Sequence, residues 1–286
     1  MQTTAAVEIR LLFESDIAAA MRLKDAAGWN QTEADWRRLL LLEPHGCFCA
    51  VKNGRVVGTT TTTTYGDGLA WIGMVLVDPD ERRQGIATKL MEVALGYLKG
   101  KVHTVKLDAT SQGKPVYEKF GFQVESLVER WSGTAIATGR DTQHSTPVDR
   151  DDLRDLLVLD RGAFNADRSE LLKKLIDEAS VAPVLVRSAA GALSGYATAR
   201  SGTRAAYIGP LVAEDPLHVE TLLDQLLSQL AGEHVYVDVN TECSAGANVL
   251  SERGFVKERD LVRMSTRSSG PKTSPLVFAI SGPETG

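Results

Sequence analysis

A short loop in the first half of the chain has the composition of a phosphate-binding site. Its members are Arg83, Gln84, Gly85, Ile86, Ala87 and Thr88. An apolar stretch typical of a strand precedes it, and a stretch with helical apolar spacing follows it. This order directs free backbone N–H groups and the positive end of a helix dipole at one point, and such a point binds phosphate. The alternative is a surface loop that caps a helix with its arginines solvated, which the two flanking patterns disfavour.

The elements around this loop are predicted to form a sheet with helices packed on it. Cys47–Lys52 and Arg55–Tyr65 have strand composition, and Asn53-Gly54 between them is a strong signal of a two-residue hairpin. Leu69–Val77 is the strand that leads into the loop. Residues 86–99 are predicted to form the helix that follows it, with one apolar face.

The motif Arg-x-x-Gly-x-Ala after an apolar strand resembles the acyl-coenzyme A loop of the GNAT superfamily of N-acetyltransferases. The resemblance covers most of residues 1–131. It implies an α/β fold, with a mixed, mostly antiparallel twisted sheet flanked by helices, and it implies acetyl-CoA as the co-substrate and no metal. In that family the backbone of the strand before the loop holds the pantetheine arm and the thioester, and the corresponding residues here are Val75, Leu76 and Val77.

The same resemblance assigns a catalytic role to Tyr117, which stands four residues before Gly121-Phe122. A tyrosine at that place in the family commonly protonates the leaving thiolate. The residues alone leave a second interpretation open, in which Tyr117 is a half-buried core aromatic on a short helix.

A general base is also required, because a lysine-like amine has a pKa of about 10.4 and must lose a proton before it attacks. The strand before the loop contains no carboxylate in residues 69–74, although many members of the family keep one there. Asp108, on the next predicted strand, is the candidate base. It could equally be a strand-end residue that satisfies a turn.

The acceptor is predicted to lie against the loop between the first two helices, which supplies acceptor contacts in the family. Here that loop contains Trp29 and Asn30, an aromatic ring and an amide that suit a small amine-bearing molecule. The alternative is a tryptophan that only holds the two helices together.

The chain contains traces of a duplication. Trp71-Ile72-Gly73 matches Tyr207-Ile208-Gly209 at an offset of 136, from 71 to 207, and Gly121-Phe122 matches Gly254-Phe255 at an offset of 133, from 121 to 254. A nearly constant offset indicates a repeated unit. We therefore predict a catalytic, acetyl-CoA-binding domain at residues 1–137 and a degenerate copy at residues 138–286, which ends in a linker and a closing strand at residues 276–280 that could pair with either half.

The second copy lacks the residues of the coenzyme site. Its matched region, residues 207–218, has no glycine at the turn and no arginine, and it contains Glu214 and Asp215, which would repel a pyrophosphate. Leu250 stands where the first copy has Tyr117. This half is therefore expected to complete the fold, form an interface or close the acceptor pocket.

Composition narrows the class of protein. The net charge of -5 argues against a nucleic-acid partner, because binding phosphates along a polymer needs a basic face. Three cysteines are too few for a disulfide framework and fit a reducing compartment. The chain shows no membrane-length apolar run and no basic, apolar leader, so a cytoplasmic protein without a membrane partner is expected. A homodimer is compatible with these properties.

Together these features predict an N-acetyltransferase that transfers an acetyl group to a primary amine of a small molecule or amino-acid-like metabolite. Two alternatives remain open from sequence. The acceptor could be a protein N-terminus or lysine, or the chain could be a non-catalytic acyl-CoA sensor or interaction protein.

Overall fold

A computed structural model of the chain describes residues 6–137, 139, 144–243, 245–267, 270, 272 and 274–286. The first half contains six strands and four α-helices within these ranges. In chain order they are β1 (Glu8–Leu11), α1 (Ile17–Ala26), α2 (Glu33–Leu42), β2 (Cys47–Lys52), β3 (Arg55–Tyr65), β4 (Leu69–Val77), α3 (Ile86–Leu98), β5 (Thr104–Ala109), α4 (Lys114–Glu118) and β6 (Gln123–Thr134). The predicted hairpin, the strand before the loop and the helix after it are confirmed.

The second half follows the same plan. Its elements are β7 (Ser145–Pro147), α5 (Leu153–Phe164), α6 (Ser169–Asp177), β8 (Val184–Arg187), β9 (Leu193–Arg200), β10 (Ala206–Ala213), α7 (Pro216–Gln229), β11 (His234–Asn240), α8 (Asn248–Ser251), β12 (Val256–Ser265) and β13 (Val277–Ala279). The series β10, α7, β11, α8, β12 repeats the series β4, α3, β5, α4, β6. Trp71 and Tyr207 lie on the equivalent strands β4 and β10, so the repeated landmarks mark equivalent places in the fold. The predicted linker before β13 lies partly outside the described residues.

The described strands join in one sheet, in the order β1-β2-β3-β4-β5-β12-β6-β11-β13-β10-β9-β8-β7. The halves exchange strands within it. Strand β12 lies between β5 and β6 of the first half, with Val262 opposite Ala109 of β5 and opposite Leu127 of β6. Strand β6 in turn pairs with β11, where Trp131 opposes Val237. The two halves therefore share one hydrogen-bonded ladder rather than a surface contact.

A buried ion pair fixes β12 against β5. Arg263 of β12 donates two hydrogen bonds of 2.8 Å to the carboxylate of Asp108 on β5, and both side chains are fully buried. The guanidinium carbon of Arg263 also lies 4.6 Å from the centre of the Trp71 ring, a cation–π distance. This pair joins the two halves in the middle of the sheet.

Strand β13 pairs with the second half, which the sequence alone left undecided. Ala279 opposes Leu211 of β10 and Val239 of β11, so β13 fills the space between those two strands. The equivalent strands of the first half, β4 and β5, pair only from Leu69 with Thr104 to Trp71 with Lys106 and then separate. The first half thus has an opening between β4 and β5, whereas β13 fills the equivalent space in the second half.

Helix α2 begins with a capping box. Thr32 caps α2, where its hydroxyl accepts from the Asp35 backbone N–H while the Asp35 carboxylate accepts from the Thr32 N–H. No helix in the described part of the chain is both long and apolar enough to cross a membrane.

Replacement of Arg263 tests the ion pair that joins the halves. Arg263→Met should lower the free energy of unfolding in urea by about 3–5 kcal/mol, because it leaves the Asp108 carboxylate buried without its counterion. The double variant Asp108→Leu/Arg263→Met should regain most of that loss, since an apolar pair needs no counterion. A single variant that loses less than about 1 kcal/mol would show that the pair does not hold the sheet together.

Candidate active site

A β-bulge in β4 creates the opening between β4 and β5. Thr60 of β3 faces two residues of β4, Met74 and Val75, where a regular ladder has one. Met74 has a φ of 50°, a left-handed conformation that costs a non-glycine residue of the order of 1–3 kcal/mol. The hydroxyl of Thr59 donates a 2.8 Å hydrogen bond to the Met74 carbonyl and stabilises the bulge. The strand therefore turns away from β5 at the residues predicted to face the pantetheine arm.

A cavity occupies the opening, and both halves line it. The first half contributes Gly73, Met74 and Val75 of β4 as well as Tyr117. The second half contributes residues of β12 and of the segment after β13. The site is thus built across the duplication, not within one copy.

The predicted phosphate loop runs from the end of β4 to the first turn of α3. Helix α3 begins at Ile86, after Gly85 with a φ of 77°, and no side chain caps it. Its first N–H groups therefore have no partner within the helix or from a capping side chain. A Cβ at Gly85 would meet nothing within 4 Å, so the space in front of these groups is open. Lys52 steadies the loop by hydrogen bonds to Glu81 and to Gln84.

The equivalent helix of the second half lacks such a free end. Asp215 precedes α7, and its carboxylate accepts a 2.8 Å hydrogen bond from the Leu217 N–H. A carboxylate thus occupies the place where an anion would bind. With β13 lying between β10 and β11, both parts of a coenzyme site are filled in this half by the chain itself.

Tyr117 is buried on the short helix α4 and lines the cavity. Its ring packs against Phe122, with ring centres 6.3 Å apart. Among the described residues, no hydrogen-bond partner faces its hydroxyl, and burial raises the pKa of Tyr117 above its ordinary value. The hydroxyl is therefore protonated at neutral pH and free to donate a proton or a hydrogen bond.

Asp108 also lines the cavity, but Arg263 occupies both of its carboxylate oxygens. Burial raises the pKa of Asp108, and the guanidinium of Arg263 opposes that shift. The geometry agrees with an oriented base and with a purely structural ion pair, so the assignment of Asp108 as the base stays a prediction.

The two predicted acceptor contacts lie in different surroundings. Trp29 is half-buried and lines the cavity. The amide of Asn30 is turned to the second half, where it donates to the Ala205 carbonyl at 2.9 Å and accepts from the backbone N–H groups of Arg204 and Ala205. Its role in acceptor binding stays a prediction, and the structure shows Asn30 as a link between the halves.

Several cavity residues were missed by sequence reasoning. Glu284 is buried, and its carboxylate accepts from Gln31 at 2.8 Å and from Arg200 at 3.1 Å. Burial raises the pKa of Glu284, and Arg200 lowers it. The backbone of Glu284 lies directly on β4, since a Cβ at Gly73 would come within 2.6 Å of its carbonyl oxygen. Arg259, on β12, was also missed, because an isolated arginine after a Gly-Phe pair carries no motif.

Family models match both halves of the chain. One, described as "Acetyltransferase (GNAT) family", matches residues 14–122, and another, described as "Acetyltransferase (GNAT) domain", matches residues 156–279. An uncharacterized N-acetyltransferase, YitH of Bacillus subtilis (strain 168), is 26% identical over 277 residues, 96% of either chain.

Solved structures share the fold. A putative acetyltransferase from Pyrococcus horikoshii has a TM-score of 0.84 at 22% identity, covering 98% of this chain and 96% of its own. A tandem GNAT protein from the clavulanic acid biosynthesis pathway has a TM-score of 0.60 at 17% identity, covering 93% of this chain and 100% of its own. These likenesses confirm the predicted α/β architecture of two such domains in tandem.

Proposed function

Because this chain belongs to the GNAT family of acetyltransferases and carries two domains of that family in tandem, we propose that it transfers an acetyl group from acetyl-CoA to a primary amine of a small molecule or amino-acid-like metabolite. The observation that carries the proposal is the cavity between β4 and β5, which Tyr117 lines. The equivalent space in the second half holds β13, so we assign the reaction to the first half alone.

The residues present fit acetyl-CoA. The uncapped first turn of α3, with open space at Gly85, suits a pyrophosphate, and residues 83–88 supply its N–H groups. The pairing of β4 with β5 ends at Trp71, and Val75 lines the cavity. We expect the amide-bearing pantetheine arm and the thioester to lie along the backbone of Val75, Leu76 and Val77.

The transfer needs one bond to form, one to break and two protons to move. The amine nitrogen attacks the thioester carbonyl carbon, a C–N bond forms, and the C–S bond breaks. A base takes the proton that the amine loses, and Tyr117 gives its proton to the departing thiolate. Holding the amine against the activated thioester supplies much of the acceleration.

The walls of the cavity support a small acceptor over a protein. Trp29 lines it, and so do Pro283 and Glu284 from the end of the second half. A protein acceptor would have to enter a cavity that is lined from both halves of the chain.

A side chain introduced at Gly85 tests the proposed coenzyme site. Gly85→Glu should abolish detectable binding of coenzyme A in calorimetry, because a bulky anion would stand where the pyrophosphate lies and the left-handed φ disfavours any side chain. Leu217→Glu makes the matched change in the exposed first turn of α7 and should leave the affinity unchanged. Normal affinity in Gly85→Glu would refute the loop assignment.

The hydroxyl of Tyr117 can be tested in a thiol-release assay against a broad amine library. Tyr117→Phe should lower kcat by about 100-fold or more, the usual contribution of a general acid, with little change in the KM for acetyl-CoA. Tyr236→Phe is the control, because that hydroxyl has no hydrogen-bond partner among the described residues and Tyr236 does not line the cavity. A Tyr117→Phe enzyme with the full kcat would exclude proton donation by this residue.

The identity of the base can be read from pH profiles of kcat/KM. Asp108→Asn should lower the rate by about 100-fold and remove the limb of the profile that reports the base. Glu284→Gln provides the comparison, since Glu284 is the other buried carboxylate named above that lines the cavity. Full activity of Asp108→Asn across pH, with loss of the limb in Glu284→Gln, would assign the base to Glu284 instead.

A further inference from the structure

Arg259 stands in the cavity wall at a place where a cation is unfavourable. It opposes Arg130 on the neighbouring strand β6, and like charges in directly opposite positions destabilise a sheet. The two side chains line the same cavity. A register shift between Lys257 and Arg259, which advance two residues on β12 against one on β6, marks a bulge at this point. Bulges beside active sites commonly re-aim a side chain.

Neighbouring cations around the cavity are neutralised, whereas Arg259 is not. Arg130 donates two hydrogen bonds to Asp238, and Arg263 donates two to Asp108. In the described ranges Arg259 makes no ion pair or hydrogen bond, and its Nε is buried without a partner. Burial, and after it the charge of Arg130, lowers the pKa of Arg259, while the charges of Asp238 and Glu258 oppose that shift. Among its donors only the Nε is buried without a partner, and a ligand that accepts from this guanidinium would satisfy it.

The next cation on the same strand gives the contrast. Lys257 is paired with Glu129 at 2.9 Å and with Asp260 at 2.7 Å, and it does not line the cavity. Arg259 has no such partner among the described residues, and it does line the cavity.

The same cavity contains an unused acceptor. The Nε2 of Gln31 donates to Glu284 at 2.8 Å, and this bond leaves Gln31 Oε1 buried without a partner among the described residues. Such an oxygen can accept a hydrogen bond from an amine or ammonium. The cavity thus presents both a free cation and a free oxygen acceptor.

We propose that Arg259 binds a carboxylate of the acceptor, so that the substrate of this protein is an amine that also carries a carboxylate, as an α-amino acid does. A planar guanidinium donates two parallel hydrogen bonds to a carboxylate and also neutralises its charge. A carboxamide carries no charge and so lacks this ionic attraction. The inference rests on the proposed acetyl transfer, and it makes the second half the source of acceptor specificity.

The test compares the common amino acids with their carboxamides as acceptors in the thiol-release assay. Wild type should favour the acid over its amide by about 10-fold to 100-fold in kcat/KM, and Arg259→Gln should remove that preference through the KM of the acid. The KM for acetyl-CoA should not change. Lys257→Gln is the matched control, since it removes a paired cation from the same strand. This variant should keep the preference for the acid over the amide. Arg259→Gln should also unfold at the same or higher urea concentration than wild type.

A binding experiment distinguishes failure of the carboxylate subsite from failure of the proposed reaction. N-acetylated amino acids and their carboxamides are titrated calorimetrically into each protein saturated with coenzyme A. A preference for the acid that depends on Arg259, without thiol release from any amine, would support the anion subsite and overturn the proposed reaction. Thiol release with equal use of acids and amides, or a preference that survives Arg259→Gln, would overturn the subsite and leave the reaction standing. No binding of any acid would overturn the subsite too.

Discussion

Strand β12 of the second half lies between β5 and β6 of the first half, and both the fold and the cavity rely on that position. It makes one sheet from two copies of a domain, and the ion pair of Arg263 with Asp108 fixes it at the centre of that sheet. Because β12 borders β5, its residues reach the opening that the bulge of β4 creates. The same strand that completes the fold of the first half therefore carries Arg259 to the site.

The duplication has given the two copies different tasks. In the first copy, the sheet opens beside an uncapped helix end, and both are parts of the proposed site for a phosphate-bearing thioester. In the second copy, Asp215 caps the helix and β13 fills the opening. The chain after β13 continues to the first copy, where Glu284 packs on Gly73. The chain that fills the opening between β10 and β11 thus also supplies part of the cavity wall between β4 and β5.

The sequence predicted what depends on short stretches of chain. Gly85 before an amphipathic run located the start of α3, Asn53-Gly54 located the hairpin, and the offset between Trp71 and Tyr207 located the repeat. It could not predict the exchange of β12, because both copies present similar strands and only long-range pairing decides between them. Glu284 and Arg259 were missed for the same reason, since each reaches the cavity through tertiary structure and has no local motif. Asn30 was predicted in the right loop, but its partners lie in the other half.

We propose that only the first of the two homologous halves holds coenzyme A. Calorimetric titration of the intact chain with coenzyme A measures this directly through the stoichiometry. The account predicts one molecule of coenzyme A per chain, since β13 and Asp215 occupy the equivalent place in the second half. Two molecules per chain, bound with similar affinity, would contradict it.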